Sequence, residues 1–210
     1  MNRYFVGCDP GISGALVLFS ENKKVLQIKD TPKLKKVSGV DYVKLYQSLE
    51  DFHKIVEMDS KEEVFKIYLS MENPSWSPVF SRATLMSFGQ TIGAFRMALT
   101  SFMLNHPLTV EQEVFQFTPK LWQKFYLAKG EKTSKEKSVE SALTIVGPNE
   151  LLPLTLHQGQ RGDRAEAILV ANYCRAIIAE EVVKIPNKRN PKKTPRKKPS
   201  TRKTTKMKHV

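Results

Sequence analysis

Four acidic residues carry the chemistry in this sequence: Asp9, Glu72, Asp163 and Glu166. Asp9 directly follows the apolar run FVGC, and Glu72 closes the run VFKIYLSM. Asp163 and Glu166 stand three apart at the head of an Ala-rich apolar segment, so a helix there sets both on one face. Carboxylates where a core should begin are costly unless a cation compensates them. Bridged by divalent ions, four such groups suit a two-metal centre for phosphodiester cleavage. The residues offer no strong thiol or imidazole ligand, which favours Mg²⁺, with Mn²⁺ as substitute, over zinc. Each acid also has a plainer use. Asp9 fits an Asx-type turn, Glu72 a loop cap, and Asp163 and Glu166 a first helical turn favoured by the dipole.

These acids must be positioned by strands and helices. Residues 3–8, 15–19 and 24–28 read as three strands with short joins, hence antiparallel. Between the first two lies DPGISG, whose glycines at 11 and 14 leave room for a phosphate or a backbone to come close. Residues 41–58 have apolar positions at helical spacing, with Asp41 as N-cap. A strand at 64–71 follows, and its strand–helix–strand setting implies parallel pairing with the first strand. If the two pair side by side, their ends bring Asp9 and Glu72 together.

A long apolar helix is expected at 81–104, with Gly89 and Gly93 admitting a second backbone. A strand at 108–115, a helix opening on FTPKLW with Pro119 in its first turn, and helices at 134–145 and 162–181 complete the body. Residues 147–160 read as a loop. The pattern is one α/β domain with a mixed sheet over residues 1–183, with no internal repeat.

The chain is 210 residues long, enough for a sizeable core, and carries a formal charge of +13. Residues 188–208 hold 11 Lys and Arg and no acid; without them 23 basic residues face 21 acidic ones. The body is thus near neutral and residues 184–210 form a basic, Pro- and Thr-rich tail, predicted to be disordered. Such a tail serves as a non-specific nucleic-acid arm, a localisation signal or a solubilising terminus. Cys8 and Cys174 belong to no CxxC pair and read as buried apolar residues. With no apolar stretch of membrane-spanning length and no signal-peptide pattern, a soluble, reducing, intracellular setting is expected.

In order, GCDPGISGAL, YLSMENP, SFGQTIGAF, FTPKLWQKFYLAKGEKTSKEKSVESA and GDRAEAILVANY resemble the motifs of RuvC-type Holliday-junction resolvases, in the RNase H-like superfamily. The resemblance spans residues 3–180 and looks most like phage-encoded and organellar members. It implies an RNase H-like fold in which Asp9, Glu72, Asp163 and Glu166 are the catalytic, metal-binding quartet. Glu166 stands where the bacterial pattern usually has Asp, keeping the charge and adding a methylene of reach. Lys124 and Lys135 match the family's basic residues near the scissile backbone, with Lys132 and Lys137 as neighbours that could take those places. Trp76, then Phe80, would be the aromatic that opens the junction, although the offset from Glu72 departs from the usual one. The family also implies branched DNA as partner and a homodimer, since paired symmetric cuts need two sites related by a two-fold axis. The location would be a bacterial cytoplasm or nucleoid, or a eukaryotic organelle or nucleus, depending on source. Two other functions stay open on the residues: an RNase H-like nuclease acting on flaps or RNA–DNA hybrid, and a non-catalytic binder of branched DNA. A sugar-kinase or actin-like fold shares the opening motif but needs a longer chain with a second phosphate-binding domain.

Overall fold

The computed structural model describes residues 1–35, 38–61, 64–74, 81–126, 134–147 and 157–180. Among these residues five strands form one sheet in the order β3-β2-β1-β4-β5. These are β1 (Asn2–Asp9), β2 (Ala15–Ser20), β3 (Val25–Asp30), β4 (Phe65–Glu72) and β5 (Val110–Phe117). The first three pair antiparallel, while β1 with β4 and β4 with β5 pair parallel. The mixed sheet follows from the connections. Short turns force antiparallel neighbours, and the β1–β4 crossover carries a helix.

That helix is α1 (Tyr42–Asp59), and its expected cap is present: the Asp41 side chain accepts from the Lys44 N–H. The remaining helices are α2 (Arg82–Asn105), α3 (Pro119–Tyr126), α4 (Lys135–Val146) and α5 (Gln158–Ile178).

Two cores sandwich the sheet, and the period-two alternation of its strands decides which residue joins which. Tyr4, Val6 and Cys8 of β1 and Ile67, Leu69 and Met71 of β4 face α1 and α2. Phe5 of β1 and Tyr68 of β4 face the opposite layer, where α5, α4 and Trp122 of α3 pack. In the same phase as Phe5 and Tyr68 come Gly7 and Asp9 on β1, and Ser70 and Glu72 on β4. The sheet therefore aims both terminal carboxylates at α5.

α5 lies close because its buried face is lined by Ala165, Ala167 and Ala171 and because Gly7 has no side chain. A Cβ on Gly7 would come within 2.7 Å of the Ala171 Cβ.

One expectation needs correction. α5 begins at Gln158 rather than 162, with His157 as N-cap accepting from the Gly159 N–H. Asp163 and Glu166 therefore sit beyond the first turn, where the helix dipole gives carboxylates little help. Among the described residues nothing lies within 4 Å of a Cβ built on Gly89 or Gly93, so that face of α2 is open. α2 packs through its later turns, burying Phe95, Ala98, Leu99 and Phe102. Its earlier turns instead border a cavity of about 270 Å³ with Asn73 and Pro74.

Cys8 and Cys174 are free and buried, as expected. Among the described residues no helix is long and apolar enough to cross a membrane. The tail, Trp76, Phe80 and Lys132 lie outside the described residues.

Candidate metal centre

Asp9 ends β1 beside the end of β4, with Cys8 in register with Met71. Asp163 and Glu166 come from the neighbouring helix, and both point at the same place because they share a face. Oxygens of Asp9, Asp163 and Glu166 all lie within 4.8 Å of one another. Glu72 stands outside that group of three but on the same side of the sheet. Its Oε2 accepts a hydrogen bond from the Trp122 indole N–H at 2.8 Å.

Lys135, in the first turn of α4, completes the centre. Its Nζ donates to Asp163 Oδ1 at 2.6 Å and to Glu166 Oε2 at 2.6 Å. The Ser138 hydroxyl, one turn on, donates to Glu166 Oε1 at 3.2 Å. α4 is held in place for this by its Ser134 cap on the Lys137 N–H and by packing of Val139 and Ala142 on α5.

The electrostatics follow from burial and like charge. Burial pushes the Asp9 carboxyl well above the usual range, and the charges of Glu166, Glu72 and Asp163 push the same way; Lys135 opposes them. Glu72 is raised to about 7, first by burial and then by Glu166, with the Trp122 hydrogen bond and Lys135 opposing. Burial alone would lower the Lys135 ammonium, but Glu166 and Asp163 hold it above its ordinary value.

Among the described residues one ammonium thus faces four carboxylates, an excess of negative charge when they are ionised. Its donors are all hard oxygens. Those two properties fit a hard divalent cation such as Mg²⁺ or Mn²⁺ and give no preference for a thiolate-seeking metal. A cavity of about 420 Å³ opens at Asp163, lined also by Ser13, Asp30, Thr31, Lys33 and His157. Its wall is braced by Arg164, which donates to both oxygens of Asp30 at 2.7 and 2.8 Å.

The structure thus brings together Asp9, Asp163, Glu166 and Lys135, with Glu72 next to them. Lys137 lies half-buried on the same turn of α4 as Lys135, and Lys124 is exposed in the last turn of α3. Sequence reasoning missed Trp122 and Ser138 as partners of Glu72 and Glu166. For Trp122 a signal existed: it is a buried indole on a short amphipathic helix, and a buried indole N–H needs an acceptor.

Among solved structures, the fold is similar to T. thermophilus RuvC in complex with Holliday junction substrate. The two chains share 16% identity with a TM-score of 0.51, over 82% of this chain and 94% of that one.

This is an RNase H-like fold.

A second T. thermophilus RuvC structure is similar at 15% identity and a TM-score of 0.48, over 84% of this chain and 96% of that one. No protein-family model and no curated protein matches the chain. The likeness at this identity is one of RNase H-like architecture: a mixed sheet whose first three strands are antiparallel, flanked by helices.

Proposed function

We propose that this protein is a metal-dependent endodeoxyribonuclease that resolves four-way and other branched DNA junctions by paired, symmetric phosphodiester hydrolysis. The observation that carries this reading is the meeting of Asp9, Asp163 and Glu166 within 4.8 Å on an RNase H-like scaffold. The sequence motifs in resolvase order add to it.

Asp9, Asp163, Glu166 and Glu72 would hold the metal. Bound there, Mg²⁺ or Mn²⁺, two ions per site, supplies an activated water and offsets charge on the phosphate and the leaving 3′-oxygen. The residues supply position. β1 and β4 fix Asp9 and Glu72 through the sheet, and Trp122 holds one Glu72 oxygen so that the other is presented. Asp163 and Glu166 approach from α5, so the ligands converge from two rigid elements. The cavity beside Asp163 gives a DNA strand room to reach them.

Lys124, Lys132, Lys135 and Lys137 would contact the phosphate backbone, and the basic tail would add affinity without choice of sequence. Trp76 or Phe80 would stack on bases at the crossover. Two copies would pair through α2, which leaves Met86, Met97 and Leu104 exposed on its outer face. A two-fold pair places two centres for two like-polarity cuts.

The test is cleavage of a synthetic four-way junction against linear duplex, a flap and an RNA–DNA hybrid, all in Mg²⁺. Symmetric paired incision of the junction is expected. Incision of hybrid or flap with the junction left intact assigns the fold to another nuclease activity. Binding of the junction with no incision of any substrate favours a non-catalytic role.

A further inference from the structure

Lys135 reaches the acidic centre by an unusual route. Its stem crosses α5 directly over Gly162. A Cβ on Gly162 would lie 2.4 Å from Lys135 Cδ, 2.8 Å from its Cβ and 2.9 Å from its Cγ. Any side chain at 162 would therefore collide along the length of the stem. The missing side chain opens a notch between α4 and α5, and the lysine lies in it.

The end of that stem does not stop at one partner. Its ammonium bridges Asp163 Oδ1 and Glu166 Oε2, both at 2.6 Å. These two residues, with Asp9, are the ones whose oxygens converge as candidate metal ligands. Ammonium and divalent ion compete for the same lone pairs, and their like charges exclude simultaneous close binding.

We infer that Lys135 is the resident counter-cation of the metal-free centre, and that a divalent ion binds at Asp163 and Glu166 only by displacing its ammonium. This rests on the metal-centre reading above and deepens it. Displacement leaves the cation on a flexible four-carbon stem at the rim of the site, free to pair with an anionic group. Metal binding thereby exposes a positive charge for a phosphate, and by linkage a bound phosphate strengthens metal binding. Lysine suits this better than arginine, because its compact ammonium can replace an ion and then leave.

The experiment compares the wild-type protein with Lys135→Met and Lys135→Arg by calorimetric titration with Mg²⁺, without DNA. Lys135→Met is expected to bind Mg²⁺ about tenfold more tightly, the size of an ordinary coupling between two ligands. Lys135→Arg, which keeps the charge, should not gain that affinity. A second measurement needs no variant: acetylation of Lys135 in wild type, read by mass spectrometry, should speed up when Mg²⁺ is added. Equal or weaker Mg²⁺ binding by Lys135→Met, or Lys135 acetylation unchanged by saturating Mg²⁺, overturns displacement while leaving the metal centre standing. Failure of both wild type and Lys135→Met to bind Mg²⁺ overturns the metal centre and displacement together.

Discussion

Gly7 of β1 lies against Ala167 of α5 so closely that a Cβ on Gly7 would sit 2.2 Å from the Ala167 carbonyl oxygen. Two residues after Gly7 comes Asp9, and one before Ala167 comes Glu166. This contact therefore sets the spacing between the strand that carries one carboxylate and the helix that carries two.

Gly7→Ala tests that spacing. Backbone at 2.2 Å cannot yield as a flexible side chain would, so α5 must move off the sheet. A loss of stability near the upper end of overpacking, about 3 kcal/mol, is expected in urea unfolding. Mg²⁺ affinity should fall as well, because Asp9 parts from Asp163 and Glu166. Wild-type stability in Gly7→Ala would show that the close approach is not required.

Trp122→Phe removes the indole N–H that donates to Glu72 Oε2. Trp122 is 2% exposed, so the smaller Phe ring also leaves a cavity, which lowers stability separately from the Mg²⁺ dependence. A hydrogen bond to a charged group is worth about 1.5–3 kcal/mol, which corresponds to a loss of roughly tenfold to a hundredfold in cleavage at limiting Mg²⁺. The Mg²⁺ concentration for half-maximal cleavage should rise, and circular dichroism should stay unchanged. An unaltered Mg²⁺ dependence would remove Trp122 from the positioning of Glu72.

The pH dependence of stability follows from the raised carboxyls. Glu72 is held at about 7 against an ordinary 4.5, and Asp9 is shifted in the same direction. Between those values the folded chain binds more protons than the unfolded one. The stability from this group is full below about pH 4.5 and is lost as pH rises through about 7. In a chelator, the melting temperature of wild type should thus fall between about pH 5 and pH 8 relative to that of Glu72→Gln; the comparison removes the opposite contribution of His53, which burial holds below its ordinary value. Added Mg²⁺ should raise it more at the higher pH, where the carboxylates are ionised. A melting-temperature difference from Glu72→Gln in chelator that stays constant over this range would contradict the electrostatics described for the centre.

How much of this was legible in the sequence depends on how local each determinant is. Asp9 and Glu72 each end an apolar period-two run, and the helix between those runs implied parallel pairing; the sheet has that pairing. The start of α5 was misplaced by four residues. Gly159, Gly162 and the polar residues between look like loop, and a histidine cap is a weak signal. Gly162 is in fact helical, and its role is to make room for Lys135, a residue 27 positions earlier. The Trp122–Glu72 bond joins residues 50 positions apart. Neither contact has a periodicity to betray it.

Truncation after residue 183 tests the division of charge between body and tail. The removed segment contains 11 Lys and Arg and no acid between 188 and 208. Affinity for junction and linear duplex should fall by similar factors, and the salt dependence of binding should become shallower. Selective loss of junction binding would show that the tail recognises structure rather than charge.

The most direct measurement is cleavage of a four-way junction in Mg²⁺ by wild type and by Asp9→Asn, with binding to the same junction recorded alongside. Asp9 ends the central strand and faces the carboxylates of α5, and its substitution by Asn removes a candidate metal ligand with little change of shape. Asp9→Asn is expected to bind the junction as wild type does and to leave it uncut. Cleavage by Asp9→Asn at the wild-type rate would contradict the assignment of these carboxylates as the metal-binding centre of a nuclease.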